Sequence, residues 1–293
     1  DVSRDPRWGR MMESFGEDPY VNGIMGKAMV DGYQQKDDTG IAACLKHFAG
    51  YGAVNAGREY NDVEISQRTF LEQYVKPFRM ALKAKPAMVM TAFNAIDRKP
   101  ISGNKELLRD LLRDKEGFDG TVISDWGSIG QLEEQGVAAD MDEAAVQAIE
   151  AGVDIDMMSP AYMFRLEELV KNGQIPESFI DESAFRVLMM KNQLGLFENP
   201  FAGLGKSGKL TLHNREKAYQ LAGESCVLLK NEKLLPLSMK KKVIWAGPYT
   251  ASREFLSRWS IFGEHEAVET IEDILQKKQI EAECITGCNI LSD

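Results

Sequence analysis

In the stretch Gly120–Ser128, GTVISDWGS, a short apolar run ends on a carboxylate, Asp125, and the largest aromatic side chain, Trp126. Polar groups stand at three comparable places: Arg4–Arg10 (RDPRWGR) after Asp1–Ser3, Lys46 and His47 near the end of Ile41–Phe48, and Asn94 after Ala87–Phe93. Active sites of parallel α/β folds gather where strands end. A sugar ring suits such an inventory. Charged donors and acceptors grip its hydroxyls, and an aromatic side chain covers its C–H face. Glycoside hydrolysis adds a carboxylate set against the anomeric carbon as nucleophile.

Taken singly, each residue has a plainer role. Lys46 and His47 fit a solvated strand end, Asp125 fits a helix N-cap, and Trp126 fits packing between layers. Arg4, Arg7 and Arg10 fit surface ion pairs with Glu13, Glu17 and Asp18, which are worth little energetically. Recurrence at successive strand ends favours a shared site.

The elements that must position these groups alternate. Ile41–Phe48, Ala87–Phe93, Thr121–Asp125 and Val153–Met157 are continuously apolar, as parallel strands covered on both faces are. Helices are expected over about Pro19–Gln35, Ser66–Ala84, Asn104–Asp114 and Asp140–Ala151. Phe70, Leu71, Tyr74, Val75, Phe78 and Leu82 form an apolar stripe of helical period on the second. Asp1–Ser3 reads as the end of one more strand. About five β/α units result, fewer than a closed barrel needs. An open doubly wound sheet fits the pattern, and so does a (β/α)8-like barrel, TIM-type and truncated at its N-terminus. After Ser159, Ala161–Lys171 and Glu177–Gly195 read as helices. The glycine-rich segment 197–212 reads as a linker, leaving residues 1–196 as the barrel portion. Residues 213–293 form the start of an α/β sandwich, with a helix at His213–Glu224, strands at Cys226–Lys230 and Lys242–Ala246, and a helix at Ala267–Lys277.

The 293 residues carry 35 basic and 45 acidic side chains, a formal net charge of −10. That charge disfavours nucleic acid and anionic membranes as partners. No apolar run approaches the roughly 20 residues that span a bilayer. Cys44, Cys226, Cys284 and Cys288 form no disulfide framework, which points to a reducing, cytoplasmic compartment. His47, His213 and His265 are far apart in sequence, so no metal or other cofactor is expected. No secretory signal opens the chain, and its first residues read as the interior of a domain.

The segments RDPRWGR…ESFGEDPY, LKHFAGYGAVNAGR, GFDGTVISDWGSI, AGVDIDM, LGLFENPF and ESCVLLKNEKLLPL follow one another in order. As a set they resemble glycoside hydrolase family 3 enzymes of the β-glucosidase type, from the first residue nearly to the last. The resemblance implies a (β/α)8-like barrel joined by a linker to an α/β sandwich. It implies Asp125 as nucleophile, Trp126 as the aromatic wall of the sugar subsite, and Arg10, Lys46 and His47 as groups holding glucose hydroxyls. Arg58, in NAGREY, matches a further arginine contact. The implied reaction is retaining hydrolysis of terminal β-D-glucosyl residues through a covalent glycosyl-enzyme, with its two carboxyls about 5–5.5 Å apart.

Two features depart from that pattern. Phe93 stands where many relatives carry a tyrosine whose hydroxyl orients the nucleophile. The family's acid/base glutamate lies far into the second domain, and Glu264, Glu266 and Glu269 read as an earlier segment, so no acid/base residue is assigned. β-Xylosidase and α-arabinofuranosidase activities are the nearest alternatives, since one fold serves several sugars. A sugar-binding fragment without turnover is another. The reading KHFAGYG, where β-N-acetylglucosaminidases have KHFPGHG, disfavours that branch. A β-glycoside is thus the expected partner, with a homo-oligomer compatible.

Overall fold

The computed structural model describes residues 1–35, 40–201, 204, 212–238, 241–256, 260–261 and 263–288. The chain divides into two compact units, Asp1–Gly208 and Lys209–Asp293. Most of the expected linker, residues 202–203 and 205–211, lies outside the described residues.

The first unit holds the strands β1 (Cys44–Phe48), β2 (Asp62–Val63), β3 (Met88–Thr91), β4 (Ala95–Ile96), β5 (Lys99–Pro100) and β6 (Thr121–Ile123). β1, β3 and β6 pair in that order, all parallel, and a bridge from Ile123 to Ile155 continues the sheet. Helical segments separate the successive strands of this sheet, which is the repeating βα arrangement of a parallel α/β fold. Val89 and Val122 are fully buried at the sheet's centre. Between Leu45 and Phe48 the β1 register shifts. That step spans one residue more than its partner step from Val89 to Thr91. Lys46 and His47 sit in this irregularity, and bulges of this kind re-aim side chains at a strand's end.

Local chemistry explains the helix boundaries. Pro19–Tyr33 starts where Asp18 accepts the Tyr20 N–H at 2.7 Å, with Pro19 in the first turn where its missing donor costs nothing. Gly23 on this helix lies against Met80, and a Cβ there would stand 2.6 Å from the Met80 sulfur. The stripe from Phe70 to Leu82 is helical as expected, but in pieces: Gln67–Thr69 and Lys76–Ala81 are α, Phe70–Val75 is π and Leu82–Ala84 is 3₁₀. Glu106–Lys115 is a π-helix. Met141–Ala151 is capped by Asp140, which accepts the Glu143 N–H, and ended by Gly152 at φ +95°.

No strand forms at Asp1–Ser3. The Ser3 N–H instead bonds the Gly16 carbonyl at 3.2 Å, and Asp1 turns its carboxylate to His47. The small sheet of β2, β4 and β5 was not expected from the sequence.

Asp154 lies fully buried beside β6. Its Oδ2 accepts from Arg113 and from the Val122 N–H, both at 2.8 Å, and its Oδ1 accepts from Arg186 at 2.9 Å. This cluster ties the centre of the sheet to the helix Glu177–Gln193.

In the second unit β7 (Val243–Ala246) pairs in parallel with β8 (Ala282–Ile285). The helix Ile271–Lys277 begins later than expected, at a capping box between Thr270 and Asp273. The strand expected at Cys226–Lys230 is absent. Leu228 and Leu229 are exposed, and no described residue pairs with this segment as a strand.

Candidate functional site

The ends of β1 and β6 bring His47 and Asp125 together. His47 is buried, and its Nδ1 lies 2.8 Å from Asp1 Oδ2, while its backbone N–H donates to Asp1 Oδ1 at 3.2 Å. Its Nε2 lies 3.2 Å from Arg10 Nη2 and 3.4 Å from Asp125 Oδ2. Burial, then the Arg10 charge, lowers the imidazole pKa to about 3, so His47 is neutral at ordinary pH.

Arg10 is held from two sides. Its Nε and Nη2 donate to Glu13 at 2.7 and 2.6 Å, and its guanidinium lies 5.3 Å from the centre of the Tyr51 ring. The surface-pair reading of Arg10 and Glu13 is therefore half right: the pair forms, but the Arg10 side chain is only 15% exposed. Burial, followed by the nearby Glu59, pushes the Tyr51 phenol upward, so it stays protonated. Trp8 packs edge-on against Tyr51 at 5.1 Å and is a core residue.

Asp125 is seated by its backbone. Ser124 Oγ and the Ser128 N–H both donate to the Asp125 carbonyl, and the Trp126 N–H donates to Asp125 Oδ1 at 2.6 Å. The other carboxylate oxygen, Oδ2, is buried with no hydrogen-bond partner among the described residues. The loop is braced by the neighbouring segment, with Ser124 N–H on the Ile155 carbonyl, Gly127 N–H on Met157 and Met157 N–H on Ser124 Oγ. Beneath it runs a buried chain of hydroxyls, Thr91 to Ser102 at 2.9 Å and Ser102 to Ser128 at 2.8 Å.

Trp126 is 62% exposed beside this carboxylate. Lys46 is exposed and adds positive charge near Glu13 and His47. Arg58 is exposed at the end of the turn Asn55–Gly57, and among the described residues no hydrogen bond or ion pair joins its guanidinium to the cluster. Phe93 is buried between Tyr51 and Tyr60, with ring centres 5.9 and 4.7 Å away. Glu264, Glu266 and Glu269 all lie in the second unit. Among the described residues no group of three His, Cys, Asp or Glu side chains is placed to hold a metal ion.

Sequence reasoning missed Asp1, Glu13 and Tyr51 as members of the cluster. The signal for Asp1 was present, a carboxylate where a strand end was expected. Its partner is 46 residues away, which no local pattern reveals.

The family model of the glycosyl hydrolase family 3 N terminal domain matches residues 1–190. A periplasmic beta-glucosidase of Salmonella typhimurium is 40% identical over 276 residues, covering 90% of this chain and 36% of the relative. A xylan 1,4-beta-xylosidase of Xylanibacter ruminicola is 32% identical, covering 100% of this chain and 35% of the relative. Among solved structures, the beta-glucosidase from Listeria innocua in complex with glucose matches with a TM-score of 0.92 at 43% identity, covering 100% of this chain and 42% of that one. The chain thus spans about a third of the length of these curated relatives.

Proposed function

The chain belongs to glycosyl hydrolase family 3, and we propose that it forms the nucleophile-bearing part of a retaining β-glucosidase. Its first unit is an α/β fold of the TIM-barrel-like kind found in that family's N-terminal domain. The observation that carries the proposal is Asp125 Oδ2, a buried oxygen without a donor, next to a neutral His47 and the exposed face of Trp126. In the reaction Asp125 Oδ2 bonds to the anomeric carbon of a terminal β-D-glucosyl residue as the glycosidic C–O bond breaks. Water then displaces the carboxylate and releases the sugar. Trp126 covers the apolar face of the ring, and Arg10, Lys46, His47 and Arg58 bind its hydroxyls.

The departing oxygen needs a proton. Asp1 and Glu13 are occupied as acceptors for His47 and Arg10, and no residue is assigned as the acid. A 2-deoxy-2-fluoro β-glucoside inactivator, applied to the full-length protein, is expected to label one peptide at Asp125. Labelling at any other residue would overturn the assignment.

A β-xylosidase reading also has support, because the Xylanibacter ruminicola relative bears that name. Parallel assays on aryl β-glucoside and aryl β-xyloside separate the two. We place the protein in the cytoplasm because its four cysteines are free. The Salmonella relative is named as periplasmic, and fractionation of the source cells decides the matter. No helix among the described residues is long and apolar enough to cross a membrane.

A further inference from the structure

We propose that Asp1 is a positioning residue that fixes the tautomer of His47, leaving Nε2 as a bare acceptor toward Arg10 and withholding a proton from Asp125. The inference rests on the nucleophile reading of Asp125 given above.

Both nitrogens of the imidazole ring have partners that fix where its proton sits. Arg10 Nη2 lies 3.2 Å from His47 Nε2. A guanidinium has donors and no acceptor, so a contact at that distance requires a lone pair on Nε2. A neutral imidazole carries one ring proton, which must then sit on Nδ1. Nδ1 faces Asp1 Oδ2 at 2.8 Å, and Asp1 Oδ1 takes the His47 backbone N–H at 3.2 Å. Asp1 thus places one carboxylate oxygen against the backbone N–H and the other against Nδ1, and both serve as acceptors. The Asp1 and His47 side chains are 2% and 1% exposed, so water does not compete for these bonds.

The consequence falls on Asp125. Its Oδ2 is 3.4 Å from Nε2, yet Nε2 has no proton to give. The orphaned state of that oxygen follows from this arrangement. A donated hydrogen bond would stabilise the carboxylate and lower its nucleophilicity; the Asp1 contact keeps the bond from forming. With Phe93 unable to donate from the other side, the attacking oxygen is left free of donors within the described cluster. Lone-pair orientation through an acidic partner is the same physical device that holds histidine in hydrolytic triads, here used to keep a proton away.

The test is long-range 1H–15N NMR of the imidazole nitrogens in the full-length protein, with His47→Gln identifying the His47 signals. The wild type is expected to show a protonated Nδ1 and a bare Nε2; a protonated Nε2 overturns the proposal without any variant. Asp1→Asn replaces one acceptor with a donor. It is expected to move the proton to Nε2 and to lower kcat/KM roughly 10–100-fold, the range seen for other histidine-orienting partners. Asp1→Glu, which restores the acceptor pair, should recover part of that loss. A folded Asp1→Asn that keeps the Nδ1 proton and full activity also overturns the proposal. Fluoroglucoside labelling in the same samples keeps the two readings apart. Loss of the Asp125 label in the wild type sinks the nucleophile assignment and leaves the tautomer readable.

Discussion

Asp125 and Trp126 share one hydrogen bond, from the Trp126 backbone N–H to Asp125 Oδ1 at 2.6 Å. The bond fixes the direction of the carboxylate by means of the residue that carries the indole. One oxygen is spoken for and the other points away from it. The Trp126 side chain contributes nothing to this bond and stays 62% exposed.

Trp126→Ala should therefore separate binding from folding. An exposed side chain is expected to change stability by no more than about 0.5 kcal/mol, while loss of the platform for a sugar ring should lower kcat/KM roughly tenfold or more, the equivalent of about 1.4 kcal/mol. Thermal denaturation and steady-state kinetics on an aryl glycoside check both. A large loss of stability with intact kinetics would make Trp126 a packing residue.

Ser102→Ala should act on both. It removes the middle of the buried chain from Thr91 to Ser128, leaving two hydroxyls short of a partner at a cost of about 1–3 kcal/mol. The Ser128 N–H bonds the Asp125 carbonyl, so kcat should fall with KM little changed. Kinetics at a temperature where the variant is fully folded provide the check.

Asp154→Ala should be severe for stability. It takes from the part-buried Arg113 and Arg186 the carboxylate they share, although Arg186 keeps Glu182, and breaking a buried pair costs up to about 3–5 kcal/mol. Denaturant midpoints are the readout, and a variant within 1 kcal/mol of wild type, roughly, would contradict the arrangement.

His47 sets an acid dependence. Its pKa falls from 6.5 to about 3 on folding, so between those values the unfolded chain binds a proton that the folded chain does not. Its contribution is fully present above pH 6.5 and is lost as pH falls toward 3, with a slope of about 1.4 kcal/mol per pH unit. His47→Gln should remove that part of the slope between pH 6 and pH 4. Equal slopes for the two proteins would place the imidazole in a different environment.

The helices Met141–Ala151 and Ala161–Lys171 were legible because their limits are written locally, in Asp140 and Gly152 for the first and in apolar spacing for the second. The strands around Leu45, Val89 and Val122 were legible as unbroken apolar runs. The sheet of β2, β4 and β5 was not, since two-residue strands have no period to read. Nor were the π-helical segments, whose apolar stripe differs little from an α-helical one over six to ten residues. Cys226–Lys230 shows the opposite error: VLLK has strand composition, but a strand exists only when a partner pairs with it. At the site, the types and order of Arg10, Lys46, His47, Asp125 and Trp126 were readable. The Asp1 contact that orients His47 was not, because it depends on tertiary closure.

The irregular step in β1 makes the seating of His47 a matter of parity. Side chains on a strand alternate between faces, so the extra residue between Leu45 and Phe48 puts Phe48, the last residue of the strand, out of step with an unbroken alternation. Deleting Lys46 alone would restore uniform pairing with β3 and leave a tidier sheet. It would also rotate the remaining Leu45–His47 frame by one position, exchanging which side chains meet Arg10 and which enter the core. A library of single-residue deletions across 44–48 would thus divide into folded, inactive proteins and unfolded ones, with no folded member keeping His47 opposite Asp125.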